Sequence, residues 1–231
     1  MDKTESFRKY FREEYVPRDA GPRFLYITNG RLYIRVVFAI ILTLCVGLAS
    51  QVDFRPHHLP LFFLYFVIAN LVEYWIHRYP MHRKMPLLGF MFEHVTIHHA
   101  IFDRDKNLIE DDRDLMGVFL PILYLFSISA GAVVGSLPLF ILFGSSEGYF
   151  FLFVCAVYYL LYEVLHYSYH CRDDSLFRFV PFSKSLGVNH LIHHRRELMS
   201  KVNFNITFPL FDHLFGTKHN PSHLPRDRSE P

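Results

Sequence analysis

The chain has 231 residues, enough for one domain and too few to append a reductase or electron-carrier module. Just over half of it is apolar (51%) against 20% charged, and the apolar residues fall in blocks, which excludes a disordered chain and an ordinary soluble domain. The net charge of +2 gives no argument for a nucleic-acid partner, and Cys45, Cys155 and Cys171 are too scattered for a disulfide framework or a thiolate metal site.

The stretch Ser6–Val16 (SFRKYFREEYV) mixes aromatic and charged residues at helical spacing, as in a helix lying in a membrane interface or in water. A long polar segment precedes the first apolar run, so no cleavable signal peptide is expected. That run extends from about Val36 to Val52, and a second from Leu59 to Ile76. They are joined by the turn DFRPHH, where Pro56 and then Pro60 suit a tight reversal. Each run approaches the roughly 20 residues a helix needs to cross a bilayer. From Leu115 to Leu165 the only charged residues are Glu147 and Glu163. This stretch suits two more spans, reversing at either GSLP (Gly135–Pro138) or GSSEG (Gly144–Gly148).

The fold expected is therefore all-α and polytopic: four transmembrane helices arranged as two hairpins, with a histidine-rich helical cap on the cytoplasmic side. Residues 1–35 form an N-terminal segment, 36–217 a single membrane-embedded domain and 218–231 a polar tail. Of the 24 Lys and Arg residues, only Arg55 falls on the far side of the spans. The positive-inside rule then puts both termini and the loop His77–Asp114 in the cytoplasm. The run Asp103–Asp114 reads as a solvated loop without chemistry.

Ten of the 15 histidines fall in four clusters: His77 and His82; His94, His98 and His99; His166 and His170; His190, His193 and His194. On a helix, residues three or four apart share a face. His94 with His98, His166 with His170, and His190 with His193 and His194 are so spaced, and two such imidazoles can converge on one metal ion. His77 and His82 straddle Pro80, which breaks a helix and lets His82 turn back toward the site. Two clusters follow the second span and two follow the fourth, so an even number of crossings leaves all four on one side. Ten imidazoles exceed what one tetrahedral ion can use, which implies two ions. Imidazole suits zinc, copper, iron and nickel alike, and the ligand type does not choose among them.

The motifs H-x4-H, H-x3-HH, H-x3-H and H-x2-HH on four spans, with the closing segment Asn203–Thr217 (NFNITFPLFDHLFGT), resemble the fatty acid hydroxylase and sterol desaturase superfamily over about His77 to Thr217. The resemblance implies an integral membrane non-haem di-iron oxygenase. Two iron ions would be held by His77, His82, His94, His98, His99, His166, His170, His190, His193 and His194, with zinc as a substitute acquired in purification. Dioxygen would be the co-substrate and a bilayer lipid the substrate, hydroxylated or, alternatively, desaturated. No fused haem-binding donor is recognisable, so electrons are expected from a separate small cytochrome or ferredoxin with its reductase. Glu73, Glu93, Glu163, Asn189 and Asp212 are candidates to orient ligands through their second ring nitrogen. His57 and His58 fall in the far-side turn, His213 is expected to pack or orient, and His219 and His223 belong to a solvated tail. A metal transporter would place ionisable ligands along a mid-membrane path. An intramembrane zinc hydrolase would need only about three protein ligands.

Overall fold

The computed structural model describes residues 3–15, 30–103, 107–171 and 175–219, and every regular element among them is helical. Four helices are long and apolar enough to cross a membrane. After α1 (Lys3–Tyr10), the spans are α2 (Gly30–Ala49), α3 (His58–Ile76), α4 (Ile122–Phe143) and α5 (Ser145–His170). A shorter helix, α6 (Ser183–His193), follows. The spans form the two expected hairpins. The first begins at Gly30 rather than near Val36, its opening turns carrying Arg31 and Arg35 on the exposed surface. Basic side chains at a span end keep their heads in polar surroundings while the stem stays on the helix.

The second reversal is at GSSEG. Gly144 has φ +98°, a left-handed conformation open to glycine at no steric cost, and it ends α4. A Cβ at Gly148 would stand 2.4 Å from the Phe140 ring, so the close approach of the two helices at the turn requires glycine there. GSLP lies inside α4, and Pro138 is accommodated within the helix.

The α5 helix packs against α2, α3 and α4. It is the central element, with 44% of its apolar window buried against at most 22% for the other spans. Val46, Phe63, Phe126, Ile141 and Leu142 point outward, an apolar exterior suited to lipid. Val37, Ile41, Tyr124, Tyr162 and Leu165 fill the interior. At the far end, Ser146 Oγ accepts from the Asp53 amide at 3.0 Å, tying the two hairpin turns together.

Over its described part the N-terminal stretch packs on the body of the protein. The α1 helix buries Arg8, and Phe11 follows it into the core, against the loop expected to be solvated. From residue 107 on, that loop is itself structured. Asp111 and Asp114 form a capping box, and Asp114 is fully buried beside Arg12.

Candidate metal centre

Ten imidazoles from four stretches of chain meet at one end of the bundle. His77 follows α3 directly, and a wide π-type turn through Pro80 (His77–Met81) reverses the chain. His82 thereby returns to 3.2 Å from His77, measured between their Nε2 atoms, as Pro80 led us to expect. His94–His98 forms a second π-type turn, followed directly by His99. His166 and His170 end α5, while His190 and His193 end α6, with His194 next in line. All ten are buried, none more than 5% exposed.

Nine of them form two sets in which one ring nitrogen from every member lies within 4.8 Å of the others. The first set is His77, His82, His94, His99 and His193; the second is His98, His170, His190 and His194. His166 stands beside the second, its Nε2 3.3 Å from that of His98. Within the first set, Nε2 atoms approach to 3.0 Å (His77 and His94) and 3.1 Å (His82 and His193). Within the second they approach to 3.1 Å (His98 and His194) and 2.9 Å (His190 with both His170 and His194). The His99 ring is 4.4 Å from that of His194 and 4.9 Å from those of His82, His94 and His193, so it lies between the sets.

Helical spacing does not sort the sets. His94 and His98 stack at 4.7 Å yet fall in different sets, as do His190 and His193. Only His190 and His194, four apart, share one. The seam between the sets cuts through two of the segments, His94–His99 and His190–His194, each of which contributes to both sides of it.

The opposite ring nitrogens explain what the cage can do. His77 Nδ1 donates to the Phe204 carbonyl at 2.5 Å and His193 Nδ1 to the Val202 carbonyl at 2.8 Å. In the second set, Nδ1 of His98, His170 and His194 donates to the carbonyls of Gly117, Asn107 and Phe102 at 2.8, 2.7 and 2.5 Å. A carbonyl only accepts, so each of these rings carries its proton on Nδ1 and presents a bare lone pair at Nε2. His98 and His194 thus aim lone pairs at each other with no hydrogen to share between them. Burial, reinforced by neighbouring rings, pushes His82, His94, His98, His99, His190, His193 and His194 well below the ordinary histidine range, so protonation does not relieve the repulsion. A cation does. Nitrogens about 3 Å apart are also spaced as neighbouring ligands roughly 2.0–2.1 Å from one ion would be. The residues therefore fit divalent metal.

Among the described residues, none of the five polar residues expected to orient a ligand is seen bonding an imidazole; at five of the ten rings a backbone carbonyl holds that position. Two act one step further out. Glu73 accepts from the Ile206 amide, and from the Thr207 amide and hydroxyl at 3.1 and 2.6 Å. Asp212 accepts from the amides of Phe204 and Asn205 at 2.9 and 2.8 Å. Together they fix the strip whose carbonyls hold His77 and His193. Asn189 reaches the same strip, its carbonyl accepting from Asn203 at 3.0 Å. Glu163 accepts instead from the Tyr159 hydroxyl at 2.7 Å, inside the bundle, and Glu93 is exposed. His213 is exposed, the His219 amide donates to Asn203 at 2.9 Å, and His223 lies outside the described residues.

A third grouping, His57, His58 and Glu147, stands at the opposite end of the bundle. The Arg55 amide donates to His58 Nδ1 at 3.0 Å, so that ring carries its proton on Nε2 and gives it to Glu147 at 3.2 Å. With His57 2.9 Å from the same carboxylate, the trio is a hydrogen-bonded clamp between the turns, not a vacant ligand set. None of the three cysteines belongs to either set.

No curated protein and no solved structure matches the chain. A family model described as Fatty acid hydroxylase matches residues 62–217, a segment that contains all ten histidines and the strip that orients two of them. By that match the chain belongs to the fatty acid hydroxylase and sterol desaturase superfamily.

Proposed function

We propose that this protein is a membrane di-iron oxygenase that hydroxylates a C–H bond of a lipid (fatty acyl, sphingolipid or sterol-like) with dioxygen and external electrons. The observation that carries this reading is the cage itself: ten buried imidazoles, five of them fixed with lone pairs inward, at the ends of membrane-crossing helices. Iron held there would supply the activation of dioxygen and the attack on an unactivated C–H bond, chemistry no side chain in this chain provides.

The chain's own part is geometry and exclusion of water. Backbone carbonyls hold five of the ten rings in one tautomer. Fully buried Ile101 and Phe102 close the cage on the loop side, where a reactive oxidant must be kept from solvent. On the membrane side His166 and His170 belong to the last turns of a span, so a lipid chain would approach the cage from apolar surroundings. The distribution of Lys and Arg supports a cytoplasmic position for the cage and both termini, in a bacterial inner membrane or an endoplasmic reticulum. A separate small cytochrome or ferredoxin with its reductase would deliver the electrons to that face.

Lipid mass spectrometry of cells with and without the gene, grown under isotopically labelled dioxygen, tests the reading. A lipid that gains one labelled oxygen supports it. Loss of two hydrogens without added oxygen reassigns the protein to desaturation. No lipid change, together with metal carried into vesicles, would make it a transporter.

A further inference from the structure

The second histidine set takes its orientation from the loop between residues 101 and 117, and that loop is held from outside the matched segment. Arg8, on α1, is 0% exposed. Its Nε donates to the Ile101 carbonyl at 2.8 Å, and Nη2 donates to the Leu108 carbonyl at 3.2 Å. Its Nη1 is 2.8 Å from Glu110, and the guanidinium lies over the Phe102 ring, 5.7 Å from its centre. Those two carbonyls are the immediate neighbours of the two that matter. Phe102, next to Ile101, accepts from His194; Asn107, next to Leu108, accepts from His170. The Ile109 amide also donates to the His170 carbonyl at 2.9 Å. One planar fork therefore ties the two limbs of the loop together beside the points where each limb grips an imidazole.

We propose that Arg8 is a positioning residue for the second histidine set, His98, His170, His190 and His194, acting through the carbonyls of Phe102 and Asn107. The proposal rests on the reading of the two sets as metal sites. A guanidinium suits the task because its donors diverge in a fixed plane and stay charged under all ordinary conditions. Burying it without partners would cost several kcal/mol, so its bonds and the loop's path are mutually enforced. The first set has no such dependence, since its carbonyls come from Val202 and Phe204, held by Asp212 and Glu73.

A plainer role, anchoring α1 to the body of the protein, is separable. Arg12 anchors the same stretch, donating to Asp114 at 2.8 and 2.6 Å, without touching either limb carbonyl. The test is metal binding by the full-length chain in detergent, stripped and then titrated with ferrous iron, for the wild type and for Arg8→Ala, Arg8→Lys and Arg12→Ala. Outer-sphere partners of metal ligands typically govern affinity by about 10- to 100-fold. We expect the wild type and Arg12→Ala to bind two ions, and Arg8→Ala to bind one ion normally and the other about 10- to 100-fold more weakly. Arg8→Lys, which keeps the charge but not the planar fork, should fall between and secures the test if the alanine variant does not fold. The weakened ion is assigned by combination: adding His194→Ala to Arg8→Ala should remove the weak ion and leave the other at normal affinity, whereas adding His77→Ala should remove the normal ion and leave only the weak one. Equal losses in Arg8→Ala and Arg12→Ala, or two ions at wild-type affinity in Arg8→Ala, overturn the proposal. A wild type that binds no ferrous iron overturns the oxygenase reading instead, and the proposal with it.

Discussion

The two halves of the cage use the same inner chemistry and different outer supports. In the first, His77 and His193 lean on Phe204 and Val202, in a strip pinned by buried carboxylates of Asp212 and Glu73. In the second, His98, His170 and His194 lean on Gly117, Asn107 and Phe102, in a loop bridged by a buried cation from α1. The comparison teaches that a ligand set is only as fixed as the backbone behind it. In this chain one backbone is braced from inside the family segment and the other from outside.

The largest effect should come from the residue that serves both halves. His99→Ala removes the ring lying between the sets, and we expect loss of both ions together with all lipid oxidation, read by metal analysis and lipid mass spectrometry. Full turnover in that variant would refute the two-set description. Next is the brace of the first half. Asp212→Ala leaves the buried amides of Phe204 and Asn205 without an acceptor, at about 1–3 kcal/mol each. Thermal unfolding of the metal-free protein should show a loss of roughly 2–6 kcal/mol, and the metal-loaded protein should lose metal first from the His77 set. An unchanged midpoint would mean that the strip is held by something else.

Acid should weaken the whole cage and leave the comparison intact. The seven histidines beyond the spans stay neutral when folded, while in an unfolded chain they take up protons near pH 6.5. Below about pH 6.5 the unfolded state therefore binds more protons than the folded one, so metal-free stability falls as pH falls and levels off above about pH 7.5. Unfolding scans at about pH 8 and about pH 5.5 check the sign; a more stable protein in acid would contradict it. The smallest effect belongs to the surface. Arg31 pairs with Asp112 at 2.9 Å, but both are more than half exposed, and Arg31→Ala should cost less than about 1 kcal/mol and leave both ions bound.

Much of the architecture was legible before any coordinates, because membrane spans and histidine motifs are written in residue identity. The four spans, the gathering of all four clusters at one end, and the return of His82 past Pro80 follow from hydropathy, parity and the geometry of proline. The choice of GSSEG over GSLP was open. Both offer glycine beside small polar residues, and what decides is the close packing of Gly148 against Phe140, a contact between helices. Clustering named the ten histidines as ligand candidates but helical spacing could not sort them, since the seam between the sets runs through the motifs His94–His99 and His190–His194. The orienting groups were misplaced for a deeper reason. Backbone carbonyls carry no sequence signature, so reasoning from side chains looked to Glu163 and Glu93, which face elsewhere. Arg8 was hidden likewise, because in the string of letters a buried arginine looks the same as one on a solvated helix.

The central claim is that both halves hold iron through nitrogen alone. X-ray absorption at the iron edge, with metal counting on the wild-type protein purified without added zinc, measures it directly. The expected result is two irons per chain, each surrounded by imidazole nitrogens, with one of the two selectively weakened in Arg8→Ala. A single ion, or coordination dominated by sulfur or carboxylate, would contradict the account.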